Sequence, residues 1–300
     1  MKVIRFLCIS FLALTFIADI RSQQTIAGMA EDFGYLDVTE ERVSWPAPET
    51  IVHDLLSSDD ETRLKALRLL GLADQEAHTT EWSGGQSSKV AVATPDRVQL
   101  TYAALGRDNT RQAVLAISSD QMMYAAVATP NSNGWTRIAV FGCWCKYDIG
   151  DLSEFVQVRP SIPDAEESFR IQERFELVMH GSGGGSGIYV QNEAHFRVDG
   201  GKLRRVLSFV SRTVECNGRT RNPNAEPCTL EKRWFYGNES GWVLAAGSGK
   251  FSDNHPEVYW SVRELEDRFL QKMTCTKFKW DDQAFQYERV ENTPTTCPSR

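Results

Sequence analysis

The chain has 300 residues, of which 33 are lysine or arginine and 40 are aspartate or glutamate, so its formal net charge is −7. A surface that binds nucleic acid or an anionic membrane needs clustered basic residues, and this acidic balance argues against both partners. Apolar residues make up 41% of the chain, which is enough for a folded core.

The N-terminal segment has the pattern of a secretory signal peptide. Lys2 and Arg5 give it a basic start, and an apolar run follows over residues 6–18. That run is shorter than the roughly 20 apolar residues that cross a bilayer, which disfavours the alternative of a membrane anchor. We therefore predict a signal peptide at residues 1–22, cleaved at its end or alternatively after Ala27. The mature protein would be secreted or periplasmic, with no remaining membrane span.

Cysteine usage agrees with export. Loss of the signal peptide would leave six of the seven cysteines, and an even number in an exported chain favours disulfides. The six are Cys143, Cys145, Cys216, Cys228, Cys275 and Cys297. Proximity suggests the pairs Cys216–Cys228 and Cys275–Cys297, the second of which would tie the C-terminal tail to a strand. Cys143 and Cys145 remain by default, although neighbours at i and i+2 of a strand share a face and would strain a direct bond.

A helical hairpin is predicted within residues 46–75, in an N-terminal region that spans residues 23–77. Leucines recur at helical spacing, and the run Ser57-Ser58-Asp59-Asp60 breaks the pattern and offers caps for a second helix. The segment LLSSDDETRLKALRLLG resembles a HEAT repeat. The positions that carry the resemblance are Asp60, Arg63, Ala66 and Leu69. One such unit cannot bury both of its faces, so it must pack on something else.

The rest of the chain is predicted to be a linker followed by a β domain. Residues 78–90 are polar and rich in glycine and serine, which favours a linker. Over residues 91–300 the apolar pattern has a period of two, with short runs separated by turn-forming clusters. One amphipathic helix is predicted to interrupt the strands at residues 262–273. The expected fold class is α+β, mostly antiparallel β, arranged as a sandwich or as partial propeller-like hairpins.

Several hairpin sequences in the β region share a pattern of aromatic or apolar residues on both sides of a polar turn. The segments are FRVDGGKLRRV, WFYGNESGWVL, FKWDDQAFQYE and FELVMHGSGGGSGIY. Together they are similar to the FG-GAP and VCBS β repeats of exported bacterial proteins, over about residues 134–290. The acidic DxDxDG loop that binds calcium in many such repeats is missing, which argues against calcium binding and a regular propeller.

The glycine-rich segment at residues 180–187 is a candidate binding loop. Its residues of interest are His180, Gly183, Gly184 and Gly185, because glycine backbone can approach an anion closely. A dinucleotide site would need a helix after the glycines, whereas a predicted strand follows. A plain hairpin turn is the alternative interpretation.

Acidic and histidine residues offer few candidates for chemistry. Glu193 and His195 would share a strand face as an acid–base pair, or else form a polar pair on the solvent side. The acids of the turn after the Cys143–Cys145 segment could bind a cation or act as in glycosidases, or be ordinary loop residues: Asp148, Asp151 and Glu154. Cys143 and Cys145 lack the spacing and the second ligand pair of a zinc site. No catalytic, metal or cofactor residue is assigned.

Aromatic residues concentrate in the last third of the chain, where they are expected to form mainly core and otherwise a binding face. The leading hypothesis is an exported, non-enzymatic module that binds another envelope or extracellular protein or a glycan. A secreted hydrolase of glycan or peptide is the alternative, with Asp148, Asp151, Glu193 or His195 as candidates. A purely structural envelope protein is the third hypothesis.

Overall fold

The computed structural model describes residues 42–72, 78–83, 86–119, 122–143, 149–160, 175–185, 188–216, 227–238, 241–251, 270–290 and 297. In chain order the elements are β1 (Val43–Trp45), α1 (Pro48–Leu55), α2 (Asp60–Leu70), β2 (His78–Ser83), β3 (Gln86–Val92), β4 (Arg97–Ala103), β5 (Gln112–Ser119), β6 (Met122–Asn131), β7 (Gly134–Cys143), α3 (Leu152–Phe155), β8 (Val156–Pro160), β9 (Phe175–Gly185), β10 (Ile188–Asp199), β11 (Lys202–Glu215), β12 (Cys228–Asn238), β13 (Gly241–Phe251), β14 (Leu270–Asp281) and β15 (Gln286–Arg289). The predicted class, α+β with mostly antiparallel strands, is confirmed.

The helical hairpin forms where its local signals stand. Pro48 opens α1 at a position where its missing N–H does no harm. Asp59 caps α2, since its carboxylate accepts a hydrogen bond from the Thr62 N–H at 2.9 Å. Gly71 ends α2 with φ of 100°, in the left-handed conformation that glycine adopts without a steric penalty. The hairpin predicted within residues 46–75 is therefore confirmed.

The first sheet has five antiparallel strands in the order β1-β7-β6-β5-β4. Strand β5 is buried along its whole length. Its side chains alternate between two cores: Leu115 and Ile117 pack against the helical hairpin, while Val114 and Ala116 pack on the opposite face. This sheet is therefore a middle layer, and the helical hairpin shares its core instead of forming a separate region.

The described residues of the segment predicted as a linker, 78–83 and 86–90, are strand. β2 pairs with β3 from His78↔Val92 to Ser83↔Gln86, so the linker prediction is wrong. Polar composition does not prevent pairing, because threonine and valine favour extended backbone. Buried Arg63 of α2 anchors the chain after β3, since its Nε donates to the Ala93 carbonyl at 3.1 Å.

The second sheet is an eight-stranded meander from β8 to β15, in chain order. One face of β9 and β10 packs on the five-stranded sheet, with Leu177, Ala194 and Phe196 in the shared core. The rings of Phe141 and Phe196 meet edge to face at 5.0 Å between the two sheets. The architecture is a sandwich of two sheets with the helical hairpin as a third layer.

The large sheet curls so that its last strand meets its second. The Tyr287 hydroxyl of β15 donates to Glu176 Oε1 of β9. The space between is filled by rings, with Phe235 stacked on Trp242 at 4.9 Å and both against Tyr287. The aromatic residues of this region thus serve mainly as core, as expected, while Tyr259 and Trp260 lie outside the described residues.

Both proximity-based disulfides are present: Cys216–Cys228 and Cys275–Cys297. Cys143 is also disulfide-bonded, and its partner lies outside the described residues, as does Cys145. The predicted helix at 262–273 is wrong at its end, because Leu270–Met273 begins β14, where pairing with β13 overrides the helical spacing. Residues 262–269 and the predicted signal peptide lie outside the described residues. Of the helices that the structure describes, none has the length and apolar character needed to cross a membrane.

Candidate functional site

Three ionisable side chains converge on the concave face of the curled sheet. We call Glu176 of β9 with Glu193 and His195 of β10 the acid–histidine cluster. The register that pairs His195 with Val178 and Glu193 with His180 sets all three on one face, because alternate strand residues point the same way. The intervening residues of these strands point to the core between the two sheets.

His195 lies between the two carboxylates. Its Nδ1 is 3.1 Å from Glu176 Oε2, and its Nε2 is 2.9 Å from Glu193 Oε1. A neutral imidazole carries one N–H, whereas the protonated ring carries two. Two carboxylate partners therefore favour the imidazolium, which donates from both nitrogens. The second oxygen of Glu176 accepts the hydrogen bond from Tyr287.

Burial and hydrogen bonding act in opposite directions on this cluster. Only 3% of His195 is exposed. Burial alone would lower the pKa of His195, but the hydrogen bonds and negative charges of Glu176 and Glu193 outweigh it, so the pKa is raised. Burial alone would raise the pKa of Glu193, but the hydrogen bond from His195 and the nearby positive charges hold that pKa below its usual value.

Two further side chains lie on the outer side of Glu193. Arg159 of β8 places Nη1 at 3.5 Å from Glu193 Oε1, and His180 places Nδ1 at 3.9 Å from Glu193 Oε2. Two carboxylates and one imidazolium carry a net charge of −1, which the Arg159 guanidinium balances. The charges of the acid–histidine cluster are thus compensated locally.

The arrangement limits what this cluster can do chemically. Both ring nitrogens of His195 are already bonded, so the ring has no free position at which to accept a substrate proton. A general base works best with a pKa near the working pH, whereas the pKa of Glu193 is lowered. Within the described part of the chain, no group of three or more histidine, cysteine or acidic side chains is arranged to hold a metal ion.

The sequence-based candidates separate in the structure. Glu193 and His195 are bonded to each other, but the interpretation as a solvent-side pair is wrong, because the curl of the sheet buries them. Asp151 caps α3 by accepting from the Ser153 N–H at 2.9 Å and also pairs with Arg97. That half-exposed position makes Asp151 a structural cap, and Asp148 lies outside the described residues.

The described part of the candidate glycine loop, residues 180–185, belongs to the sheet. Gly183, Gly184 and Gly185 lie in β9 and pair with β10, so they are strand and not loop. Backbone hydrogen bonds to β10 keep these glycines extended. The composition of the segment alone does not reveal that it pairs with β10. His180 lies opposite Glu193 in the same ladder, at the edge of the acid–histidine cluster.

A second group of side chains was not anticipated from the sequence. We call Arg107, Arg197, Trp280 and Phe285 the arginine–aromatic cluster. The Arg197 guanidinium lies 4.4 Å from the centre of a Trp280 ring and 5.7 Å from that of Phe285. Arg107 lies 4.9 Å from the Phe285 ring centre. Cation–π contacts of this kind are individually worth about 0.5–2 kcal/mol.

Arg197 is unusual within this second cluster. It is 5% exposed, and its buried Nε has no hydrogen-bond partner. None of the ion pairs among the described residues includes it, whereas its neighbour Arg204 pairs with Asp199 at 3.3 Å. Glu176 stands inside the apolar run FELVM, and a charge in such a run is the signal that could have identified it. Arg197 stands between Phe196 and Val198, in a run that also holds His195 and Asp199, so its sequence gives no comparable signal.

Comparison with known proteins adds no family to this geometry: a scan against protein-family models, a search of curated proteins and a search of solved structures each found no match. Function is therefore inferred from the chain's own residues.

Proposed function

We propose that this chain is an exported, disulfide-stabilised binding module without a catalytic role. The observation that carries the proposal is the arginine–aromatic cluster, where a buried guanidinium is held by rings and pairs with no carboxylate of the described chain. A charge that none of the described residues neutralises is suited to a group supplied by a ligand. Arginine and tryptophan are also among the residue types enriched at binding hot spots.

Export is supported by two kinds of observation. The two described disulfides are typical of an oxidising compartment, since cytosolic thiols are kept reduced. The basic and then apolar N-terminal segment has the pattern of a signal peptide. The partner expected from this compartment is another envelope or extracellular protein, or a glycan.

A secreted hydrolase is the second candidate function. The convergence of Glu176, Glu193 and His195 in one place favours it, because perturbed pKa values cluster at active sites. The burial of His195, its two occupied nitrogens and the lowered pKa of Glu193 weigh against it. A structural ion network accounts for the same geometry without any substrate.

Export is tested by mass spectrometry of the protein recovered, without reducing agent, from its own exported fraction. We expect a chain that begins at Gln23 or Gly28, with all of its remaining cysteines oxidised. A mass that retains residues 1–22, or free thiols, would contradict export. Native conditions in the same experiment would reveal a co-isolated glycan or protein.

Binding and hydrolysis are distinguished by presenting the purified chain with panels of glycans and peptides. A binding module gives saturable binding and leaves each compound intact. Product formation that is lost in Glu193→Gln, while binding is retained, would instead establish the hydrolase. The exposed Glu231→Gln serves as the matched control, since it removes the same charge from the same curled sheet.

A further inference from the structure

We infer that Arg197 and Arg107 bind a carboxylate group of the ligand, at the edge of the arginine–aromatic cluster. This inference rests on the proposed binding function and names the chemistry of the group recognised. The two guanidiniums share the Phe285 ring as a neighbour, at 5.7 Å and 4.9 Å from its centre. They reach that ring from β10 and from the connection between β4 and β5.

Arg197 supplies the unsatisfied donor. A guanidinium has five N–H groups in a planar fork, and Trp280 occupies a face of that plane, which leaves the edge for hydrogen bonding. Nε lies on that edge and has no partner. Edge-on pairing with a carboxylate is the bidentate geometry that arginine favours.

The acid–histidine cluster does not neutralise Arg197. Its two carboxylates are bonded to His195, and Arg159 offsets the remaining charge from the outer side. Asp199 is directed to Arg204 instead. Burying a guanidinium without a counter-ion is unfavourable, so a carboxylate at this position is stabilised by the existing structure.

Arg107 adds a second positive charge, which Asp282 neutralises only in part. Its guanidinium donates to the Asp282 carbonyl, and the Asp282 carboxylate is 3.8 Å away, which makes a loose and exposed ion pair. Trp280 Nε1 holds the same carboxylate at 2.9 Å. Arg107, Arg197 and Asp282 together carry a net charge of +1. One carboxylate neutralises that charge, whereas a dianionic phosphate or sulfate would leave a net negative charge beside buried rings, so a carboxylate fits better.

The turn between β14 and β15 is built to hold the rings in place. Phe285 has φ of 54°, and it is the one residue other than glycine in the described chain with a positive φ. That conformation is unfavourable for a bulky side chain and persists where the surroundings demand it. Asp281 secures the turn by accepting from the N–H groups of Gln283 and Ala284, both at 2.8 Å.

The test is a titration of the full oxidised chain with sodium acetate, at ionic strength held constant with chloride, followed by ¹H–¹⁵N NMR. The chain has eight tryptophans, and Trp280→Phe identifies the indole signal of Trp280. We expect a saturable shift of that signal with acetate and a weaker response to sulfate and phosphate. A linear, non-saturating shift, or stronger binding of sulfate or phosphate, would overturn the assignment.

Variants tie the response to the named residues. In Arg197→Met the affinity for acetate should fall about tenfold or more, as expected for a lost charge-assisted pair. The control Arg205→Gln removes an exposed arginine of β11 and should leave the affinity unchanged. In Asp282→Asn the affinity should rise roughly threefold to fivefold, because a repelling charge next to Arg107 is lost.

The Asp282→Asn result decides the question even where Arg197→Met does not fold, since Asp282 is exposed and outside the core. Unchanged affinity in that variant would overturn the involvement of Arg107. The carboxylate site and the proposed binding function can fail separately. A ligand found in the panels whose affinity is the same in Arg197→Met would leave the binding module in place and remove the carboxylate site.

Discussion

At the scale of single residues, His195 is the cation that allows two carboxylates to be buried together. In His195→Gln, Glu176 and Glu193 would face each other without that charge. Removing one partner of a buried ion pair typically destabilises a fold by about 3–5 kcal/mol. We expect a loss of that size in urea unfolding at pH 6. The control His53→Gln changes a side chain that is 86% exposed, and should stay within about 0.5 kcal/mol of wild type. Equal losses in the two variants would contradict a charged role for His195.

The same residues predict how stability depends on pH. The pKa of His195 is raised on folding, so its contribution is complete below its unfolded value of 6.5 and disappears as the pH rises through the folded pKa. The pKa of Glu193 is lowered, so its contribution is complete above 4.5 and disappears as the pH falls through the folded pKa. Between pH 4.5 and 6.5 both contributions are present.

Urea unfolding at pH 6 and pH 9 measures how much stability is lost when His195 loses its proton. The free energy of unfolding should fall more in the wild type than in His195→Gln, because the variant has no imidazolium to lose. A parallel fall in both proteins would show that other groups cause the alkaline loss.

At the scale of elements, Gly71 packs the end of α2 against β7 of the five-stranded sheet. An added Cβ would stand 2.8 Å from Val140 Cγ2, and φ of 100° is strained for any other residue. The positive φ alone costs alanine about 1 kcal/mol, and the close approach to Val140 adds to that cost. Gly71→Ala should therefore destabilise the fold by more than about 1 kcal/mol. Gly150→Ala is the matched control, since φ is 79° and nothing lies within 4 Å of the added atom. Thermal unfolding of both variants separates the cost of the positive φ, which both share, from the cost of the contact with Val140, which only Gly71→Ala has. Equal losses of stability would mean that Val140 moves aside.

The contrast between elements shows which signals in the sequence are local. Asp59 and Gly71 mark the ends of α2 within a few residues, so the helical hairpin was predictable. The strands of the meander were also predictable, because their period and turns lie within each hairpin. The pairing of β2 with β3 and the extended glycines of β9 depend on partner strands, and their composition suggested a linker and a loop instead.

At the scale of the whole molecule, the two clusters depend on the curl of the large sheet. Glu176 and Tyr287 are separated by 111 positions in the sequence, and Arg107 and Asp282 by 175. No period or spacing reports contacts of that range, which is why Glu193 and His195 could be placed on one face but not recognised as buried. Cys275–Cys297 was predictable because its cysteines lie 22 positions apart.

The Tyr287 hydroxyl donates a hydrogen bond to Glu176, which joins β15, the last strand of the curled sheet, to β9. Tyr287→Phe keeps the ring in the aromatic core and removes a donor to a buried carboxylate, which should destabilise the fold by about 1.5–3 kcal/mol. The loss should be local at first, because the edge strand β15 has β14 as its only ladder partner among the described strands. Native-state hydrogen exchange should then show faster opening of the β14–β15 amides and unchanged exchange in β5 and β6.

Tyr102→Phe is the matched control, since it removes a hydroxyl bonded to the exposed Glu49 and should have little effect on stability. Because Arg197 is held by a ring of β14, faster opening of that hairpin should also weaken the acetate response of Trp280. Unchanged exchange in β15 of Tyr287→Phe would mean that the stacked rings of Phe235 and Trp242 hold the curl without the hydroxyl. In that case the acid–histidine cluster would be a consequence of the curl, and its carboxylates would tolerate the loss of one donor.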